Sequence, residues 1–157
     1  TVDVEHKWTS EAPLGGFVHF AFDYDEFKAF DSRISANGGL DYALVSTDLT
    51  KLVSRWGAGF SQELGGPNDR TVPEAIFGMD LKRQITDRQQ FDMEVRYFPD
   101  WSHFANFRLE ADVAWKILLD QARNLSLKFD LIDRYDNTPG GLRPNDVIYA
   151  VLLHWDL

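Results

Sequence analysis

Closely spaced carboxylates are the side chains of this chain that could support chemistry. Several pairs stand two residues apart, among them Asp23 and Asp25, Asp92 and Glu94, and Glu110 and Asp112. On a β-strand this spacing places both side chains on one face, where they could act as a hydrolytic acid and base or bind a cation. The same faces carry Arg96, Arg108, Lys116 and Lys128, so a lattice of cross-strand ion pairs is the simpler interpretation. We therefore predict no catalytic residue.

Residue types that usually hold metals or cofactors do not form functional patterns here. The four histidines lack metal-ligand spacing: His6, His19, His103 and His154. No serine stands in a strand–turn–helix elbow, and Gly57 and Gly59 favour bending of a sheet over binding of phosphate. Five Asx residues near the last connection could bind calcium weakly, but they favour a structural turn: Asp133, Asp136, Asn137, Asn145 and Asp146. We expect a protein that is not an enzyme, with no cofactor and no metal site.

Composition limits the class of protein. The chain has 157 residues, of which 44% are hydrophobic and 14% aromatic, and it has no cysteine. This length corresponds to one domain, and the lack of cysteine excludes disulfides and thiolate metal sites. The net charge of −9 argues against nucleic acid as a partner, because phosphate contacts need a basic surface. No apolar run is long enough for a membrane-spanning helix.

Apolar residues recur at every second position along almost the whole chain, which is typical of β-strands. We predict nine strands: Val2 to Trp8, Phe17 to Tyr24, Asp31 to Val45, Lys51 to Leu64, Val72 to Ile85, Phe91 to Tyr97, Phe104 to Ile117, Gln121 to Asp133 and a closing strand up to Leu157. Residues Asp112 to Arg123 have helical propensity, but their alternation favours a strand. The predicted fold is all-β: an antiparallel up-and-down meander forming a β-barrel of about 8–10 strands.

The closing strand and the connections favour an outer-membrane barrel. Apolar or aromatic residues occupy every second position from Val147 to Leu157, whereas soluble chains more often end in a frayed polar tail. The predicted connections alternate between tight turns and longer loops, as do the periplasmic turns and outer loops of such barrels. This pattern predicts that the last strand ends on the periplasmic side.

Alternation alone leaves two classes of barrel open. A soluble periplasmic lipocalin-like barrel would turn its apolar side chains inward around a small apolar ligand, whereas a membrane barrel turns them toward lipid. Two observations favour the membrane class: several predicted strands exceed the roughly 9–11 residues needed to cross a bilayer, and aromatic residues gather near strand ends. The predicted aromatic rims are Tyr24, Phe27, Phe30, Tyr97, Trp101 and Phe104 at one end, and Trp8, Trp115 and Trp155 at the other.

In the membrane class the charged face of each strand lines the interior. The predicted lumen-lining residues are Arg33, Asp41, Arg55, Glu63, Asp80, Lys82, Glu94, Arg96, Arg108, Glu110, Lys128 and Asp130. A lumen filled by these side chains would have a structural role, or would admit only water and small ions. The implied partners are outer-membrane lipid and the barrel-assembly machinery, and the sequence does not define an oligomeric state.

Several segments, in order along the chain, resemble one bacterial family. They are residues 25–33 (DEFKAFDSR), 38–42 (GGLDY), 56–60 (WGAGF) leading to Glu63, 124–128 (NLSLK), 133–139 (DRYDNTP) and 145–149 (NDVIY). From about residue 20 to residue 157 the sequence is similar to salt-induced outer-membrane proteins of Gram-negative bacteria, the domain of unknown function 481. This resemblance implies a location in the bacterial outer membrane and no established enzymatic activity. It also implies further strands before Thr1, so residues 1–157 would be a single β-barrel domain without its N-terminal part.

Overall fold

The structure, a computed structural model, describes residues 2–7, 13–24, 32–65, 69, 71–121, 123–139 and 143–155. These residues form nine strands: β1 (Val2–Lys7), β2 (Leu14–Tyr24), β3 (Ser32–Ser46), β4 (Thr50–Leu64), β5 (Thr71–Thr86), β6 (Gln89–Pro99), β7 (Phe107–Asp120), β8 (Leu125–Asp136) and β9 (Asn145–Trp155). The predicted all-β class is therefore confirmed. No helix within these ranges is long and apolar enough to cross a membrane.

The nine strands form one antiparallel meander. Each strand pairs with the next along the chain, in the order β1 to β9. Among the described strands no ladder joins β1 to β9, so the sheet is not closed into a barrel. Because neighbours alternate in direction, β1 and β9 run the same way, and direct pairing between them would be parallel.

The sheet curls strongly around one of its faces. Arg33 on β3 forms an ion pair with Asp136 at the end of β8, with 3.1 Å between Nη2 and Oδ2. Four strands separate β3 from β8 in the sheet order, so only strong curvature can bring these two side chains together. We call the face that carries Arg33 and Asp136 the concave face and the opposite one the convex face.

A small apolar cluster lies within the concave face. Phe17 on β2, Ile76 on β5 and Phe98 on β6 are between 0% and 4% exposed and contact one another. The residues next to each of these three in the sequence point to the convex face, because successive side chains of a β-strand lie on opposite faces. The remaining concave side chains are mostly polar or charged, so the interior combines a limited apolar core with a large charged surface.

One predicted turn is wrong by a few residues. The sequence suggested a tight turn at Leu118 to Asp120, but β7 continues through Asp120 and β8 begins at Leu125. Asn124 has a φ of 49°, a left-handed conformation that asparagine tolerates better than most residues. The Arg123 N–H also donates a hydrogen bond to Asp120 Oδ1 at 3.3 Å. The local chemistry of the turn, which the alternation does not encode, therefore sets this boundary.

Two of the longer connections are joined by asparagine. The Phe107 N–H donates to Asn137 Oδ1 at 2.8 Å, and the Asn137 N–H donates to the Phe107 carbonyl at 3.2 Å. Within the β6–β7 connection, Asp100 Oδ1 accepts hydrogen bonds from the N–H groups of Ser102 and His103. These bonds explain why β7 begins at Phe107 and not at the predicted Phe104.

Glycines permit the close approach of β3 and β4. A Cβ on Gly59 would overlap the carbonyl oxygen of Ala36, and a Cβ on Gly57 would overlap that of Gly38 and lie 3.0 Å from Ile76 Cγ2. Both glycines belong to the concave face, so the missing side chains leave room for the sheet to coil. This agrees with the bending role predicted for them.

We expect Gly59→Ala to destabilise the protein by about 1–3 kcal/mol, because the added methyl group forces β3 and β4 apart. The midpoint of urea unfolding, followed by tryptophan fluorescence, measures this loss. Gly16→Ala is the matched control, since a Cβ there would be 3.6 Å from the nearest atom, the Gly39 carbonyl oxygen. Equal stabilities of the two variants would contradict the proposed steric role of Gly59.

Candidate functional site

The concave face gathers the charged residues predicted from the sequence. Eight of the twelve line one cavity: Asp41, Arg55, Asp80, Lys82, Glu94, Arg96, Lys128 and Asp130. The other four form ion pairs nearer the longer connections: Arg33, Glu63, Arg108 and Glu110. The structure thus brings the predicted residues to one side of the sheet, in two neighbouring regions.

The cavity has a volume of about 510 Å³ and is lined by residues of β3 to β8 and by Pro13. Its wall contains six acidic and six basic residues, so it carries no formal net charge. Four of these charged residues are absent from the predicted set: Lys51, Asp92, Asp112 and Arg134. Each lies an even number of residues from a predicted residue on its strand and therefore shares its face. The alternation of the sequence could have identified these four residues as well.

Three arginine–carboxylate ion pairs lie side by side along the cavity wall. They join Arg55 Nε to Asp80 Oδ2 at 2.8 Å, Arg96 Nη2 to Glu94 Oε1 at 2.7 Å, and Arg134 Nη1 to Asp112 Oδ1 at 3.0 Å. In the sheet register the three carboxylates occupy neighbouring positions on β5, β6 and β7. The three guanidinium groups therefore neutralise a row of carboxylates that would otherwise repel one another.

A buried ion pair stands at the other end of the concave face. Glu74, which is 3% exposed, accepts hydrogen bonds from Arg108 Nη2 at 2.8 Å and from Ser61 Oγ at 2.8 Å. The Arg108 guanidinium also lies 4.7 Å from the centre of the Phe98 ring and 3.5 Å from Glu110 Oε1. Glu74 was not among the predicted residues, although it lies six residues before Asp80 on β5 and therefore on the same face of the strand.

Arg33 lies between two carboxylates near this end. It forms ion pairs with Glu63 on β4 and with Asp136 on β8. Its side chain is 11% exposed, so most of its charge is removed from solvent. This group spans the concave face from one side of the curled sheet to the other.

The structure provides partners for most of the paired carboxylates in the sequence. Glu94, Glu110 and Asp112 form ion pairs with arginines, and Asp92 accepts a hydrogen bond from Gln90 Nε2 at 2.8 Å. The predicted cross-strand lattice is observed for Glu110 and Asp112, which both pair with Arg134 on β8, whereas Glu94 pairs with Arg96 on its own strand and Asp92 is bonded to uncharged Gln90. The third pair, Asp23 and Asp25, lies outside the described side chains.

The predicted Asx turn is present at the end of β8. Asp136 Oδ1 accepts hydrogen bonds from the Thr138 N–H at 2.8 Å and from Thr138 Oγ1 at 3.0 Å. The Asp136 N–H donates to the Pro144 carbonyl at 2.8 Å, across the connection. Within the part of the chain that the structure describes, no group of three histidine, aspartate or glutamate side chains is arranged to hold a metal ion.

We expect Glu74→Gln to cost about 3 kcal/mol, the lower end for breaking a buried pair, because it removes the main counter-charge of Arg108 and leaves only the more distant Glu110 carboxylate. The amide that replaces the carboxylate can still accept a hydrogen bond from Ser61, so the loss reports the charge. The double variant with Arg108→Met should regain most of the stability. Asp120→Asn serves as the control, since its partner Arg123 is 78% exposed and an exposed pair contributes little. Chemical unfolding curves give the four values, and a loss equal to that of the control would contradict the argument.

Comparisons with known proteins place the chain in a family but assign it no activity. No curated protein and no solved structure matches the chain significantly. A family model described as "Protein of unknown function, DUF481" matches residues 1–156, which is nearly the whole chain. The chain therefore belongs to the DUF481 family, the one that its sequence resembles.

Proposed function

We propose that the chain is an outer-membrane β-barrel protein of a Gram-negative bacterium, with a charged lumen and a structural or narrow-pore role. One observation carries this proposal: the polarity of the sheet is reversed relative to that of a soluble protein. Large apolar side chains are exposed on the convex face, whereas charged side chains are buried on the concave face. Lipid around the convex face would account for this reversal.

The exposed apolar surface extends across the sheet. It includes Val18, Phe20 and Phe22 on β2, Leu40 and Tyr42 on β3, Trp56 and Phe60 on β4, Phe77 and Met79 on β5, Trp115 on β7, Phe129 on β8, and Tyr149, Val151 and Leu153 on β9. Each of these side chains is at least 38% exposed. A continuous apolar surface of this extent is rare on a soluble monomer and indicates contact with lipid or with a partner.

Aromatic side chains lie near both ends of the strands. Tyr24, Trp101 and Phe104 are exposed at the end with the longer connections, and Trp155 is exposed at the end with the short turns. Such positions suit the aromatic girdles that mark the two interfaces of a bilayer. Three residues of the predicted rims, Trp8, Phe27 and Phe30, lie outside the described residues.

Strand length and curvature also support a barrel. Strands β2 to β9 contain 11 to 16 residues, which is enough to cross a bilayer when tilted. The contact between Arg33 and Asp136 brings β3 close to β8, as a nearly cylindrical sheet would. Closure of the sheet is part of the proposal, and the twelve predicted lumen-lining residues would then face the enclosed space.

The soluble alternative fits the polarity less well. A lipocalin-like barrel that holds an apolar ligand needs an apolar interior. The cavity on the concave face instead carries twelve charged residues, and most of the large apolar residues lie on the opposite face, apart from the small cluster of Phe17, Ile76 and Phe98. No observation on the described residues favours this alternative.

A charge on the convex face tests the membrane proposal. Met79 lies midway along β5 and is 41% exposed, so Met79→Arg should destabilise the folded protein in lipid by about 2–4 kcal/mol. Leu119→Arg is the control: Leu119 is 48% exposed near the short-turn end of β7, where the cost should fall to about 0–1 kcal/mol. Refolding into lipid vesicles, followed by heat-modifiable migration on a gel, measures both.

A soluble protein would respond differently. Both arginines would then face water, and both stabilities would stay within about 0.5 kcal/mol of the unmodified protein. The unmodified chain provides a second check, because a membrane barrel should need detergent or lipid to remain monodisperse. A folded, monodisperse chain in plain buffer would contradict the membrane proposal.

Conductance across a planar bilayer tests the narrow pore. We expect little current through the unmodified protein, because Arg33 and its two carboxylate partners span the concave face. Arg33→Ala removes this group and should increase the unit conductance. Arg123→Ala, in an exposed turn, should not. A large conductance in the unmodified protein would contradict a narrow lumen.

A further inference from the structure

One carboxylate in the cavity has no partner among the described residues. Asp41 on β3 lines the cavity and is 8% exposed, and its Oδ1 accepts no hydrogen bond from them. Its cross-strand neighbour is Arg55, but that guanidinium forms its ion pair with Asp80 and lies 5.5 Å from the centre of the Phe17 ring. A buried carboxylate without a donor is costly, so Asp41 is a position where a ligand cation would stabilise the protein.

Two lysines of the same cavity lie opposite each other, and Lys82 also lies opposite Asp92 on β6, whose carboxylate is bonded to Gln90. Lys51 on β4 and Lys82 on β5 are directly opposite in the sheet register, and both line the cavity toward the short-turn end. Both side chains are exposed, and neither forms an ion pair with any described residue. Like charges directly opposite on neighbouring strands repel, and an anion between them would remove this repulsion.

The remaining charges of the cavity are already engaged. Four ion pairs join Arg55 to Asp80, Arg96 to Glu94, Lys128 to Asp130 and Arg134 to Asp112. Asp92 accepts hydrogen bonds from Gln90. Within the described residues, the cavity therefore offers one unpartnered carboxylate deep in its wall and one pair of lysines at its rim.

We propose that this cavity binds a short zwitterionic peptide, with the α-ammonium group at Asp41 and the terminal carboxylate between Lys51 and Lys82. Asp41 is opposite Arg55 on β4, and Lys51 lies four residues from Arg55 on the same strand. At the rise of a β-strand, the backbone distance from Arg55 to Lys51 is roughly 13 Å. The flexible stems of the lysines shorten this span. An extended tripeptide reaches about 10 Å, and the cavity volume of about 510 Å³ lies within the range of small-ligand sites.

Calorimetric titration of the folded protein with trialanine tests this inference. N-acetyl-trialanine lacks the ammonium group and trialanine amide lacks the carboxylate, so each should bind roughly tenfold or more weakly than trialanine, because each loses one charge-assisted contact. With Asp41→Asn, acetylation should no longer weaken binding. With Lys51→Gln and Lys82→Gln together, amidation should no longer weaken it.

Matched variants separate these contacts from a general effect of charge. Asp92→Asn makes the same chemical change on the same cavity wall, but its side chain is already bonded to Gln90, so the penalty for acetylation should persist. Lys116→Gln removes a lysine of the same face that does not line the cavity, and the penalty for amidation should persist. Asp41→Glu, which keeps the charge, should restore the penalty for acetylation that Asp41→Asn removes.

Three results would overturn the inference: no heat of binding with millimolar trialanine, equal binding of all three peptides, or a penalty for acetylation that survives Asp41→Asn. The circular-dichroism spectrum and the cooperative unfolding of each variant show that it is folded before titration. The inference concerns the cavity alone and does not depend on the membrane. A folded protein that ignores peptides would leave the membrane proposal intact, and a soluble protein that binds trialanine would leave this inference intact.

Discussion

The pairing of buried charges is the constraint on which this structure depends. Curvature of the sheet removes the concave face from water, and a buried charge is tolerated only with a partner. Glu74 meets this requirement through Arg108 and Ser61, while Arg33 meets it through two carboxylates on different strands. The strands must therefore keep one register, because a slip of one residue would turn every charge outward and every apolar side chain inward.

Much of the fold could be predicted from the period of the sequence, whereas the partners of each charge could not. Alternation in segments such as Phe91 to Tyr97 identified a strand and its charged face, which the structure extends to Gln89–Pro99. The contact between Arg33 and Asp136 joins residues 103 positions apart, and it depends on the curvature of the whole sheet. Local turn chemistry at Asn124 likewise moved a boundary that hydrophobicity alone had placed too early.

In the candidate site, too, the sequence predicts which face a residue lies on but not which partner it binds. The sequence could place Asp41 and Arg55 on the charged face of two neighbouring strands, where opposite charges favour an ion pair. In the structure Arg55 turns to Asp80, and Asp41 Oδ1 is left without a donor among the described residues. A choice between two nearby carboxylates depends on side-chain conformations, so it cannot be obtained from residue types and spacing. The family match supplies no residue roles, and the chemistry of the cavity must be established from the protein itself.

The common direction of β1 and β9 affects how copies of this sheet could join. Edge strands present unpaired backbone groups that can template aggregation. If a second copy added its β1 to β9 with the same faces aligned, the junction would be parallel, which is slightly less stable than an antiparallel one. An antiparallel junction between these unlike edges would place the charged face of one copy beside the apolar face of the next. In the part of the chain that the structure describes, the odd number of strands therefore works against open-ended fibres, which require head-to-tail contacts between unlike edges.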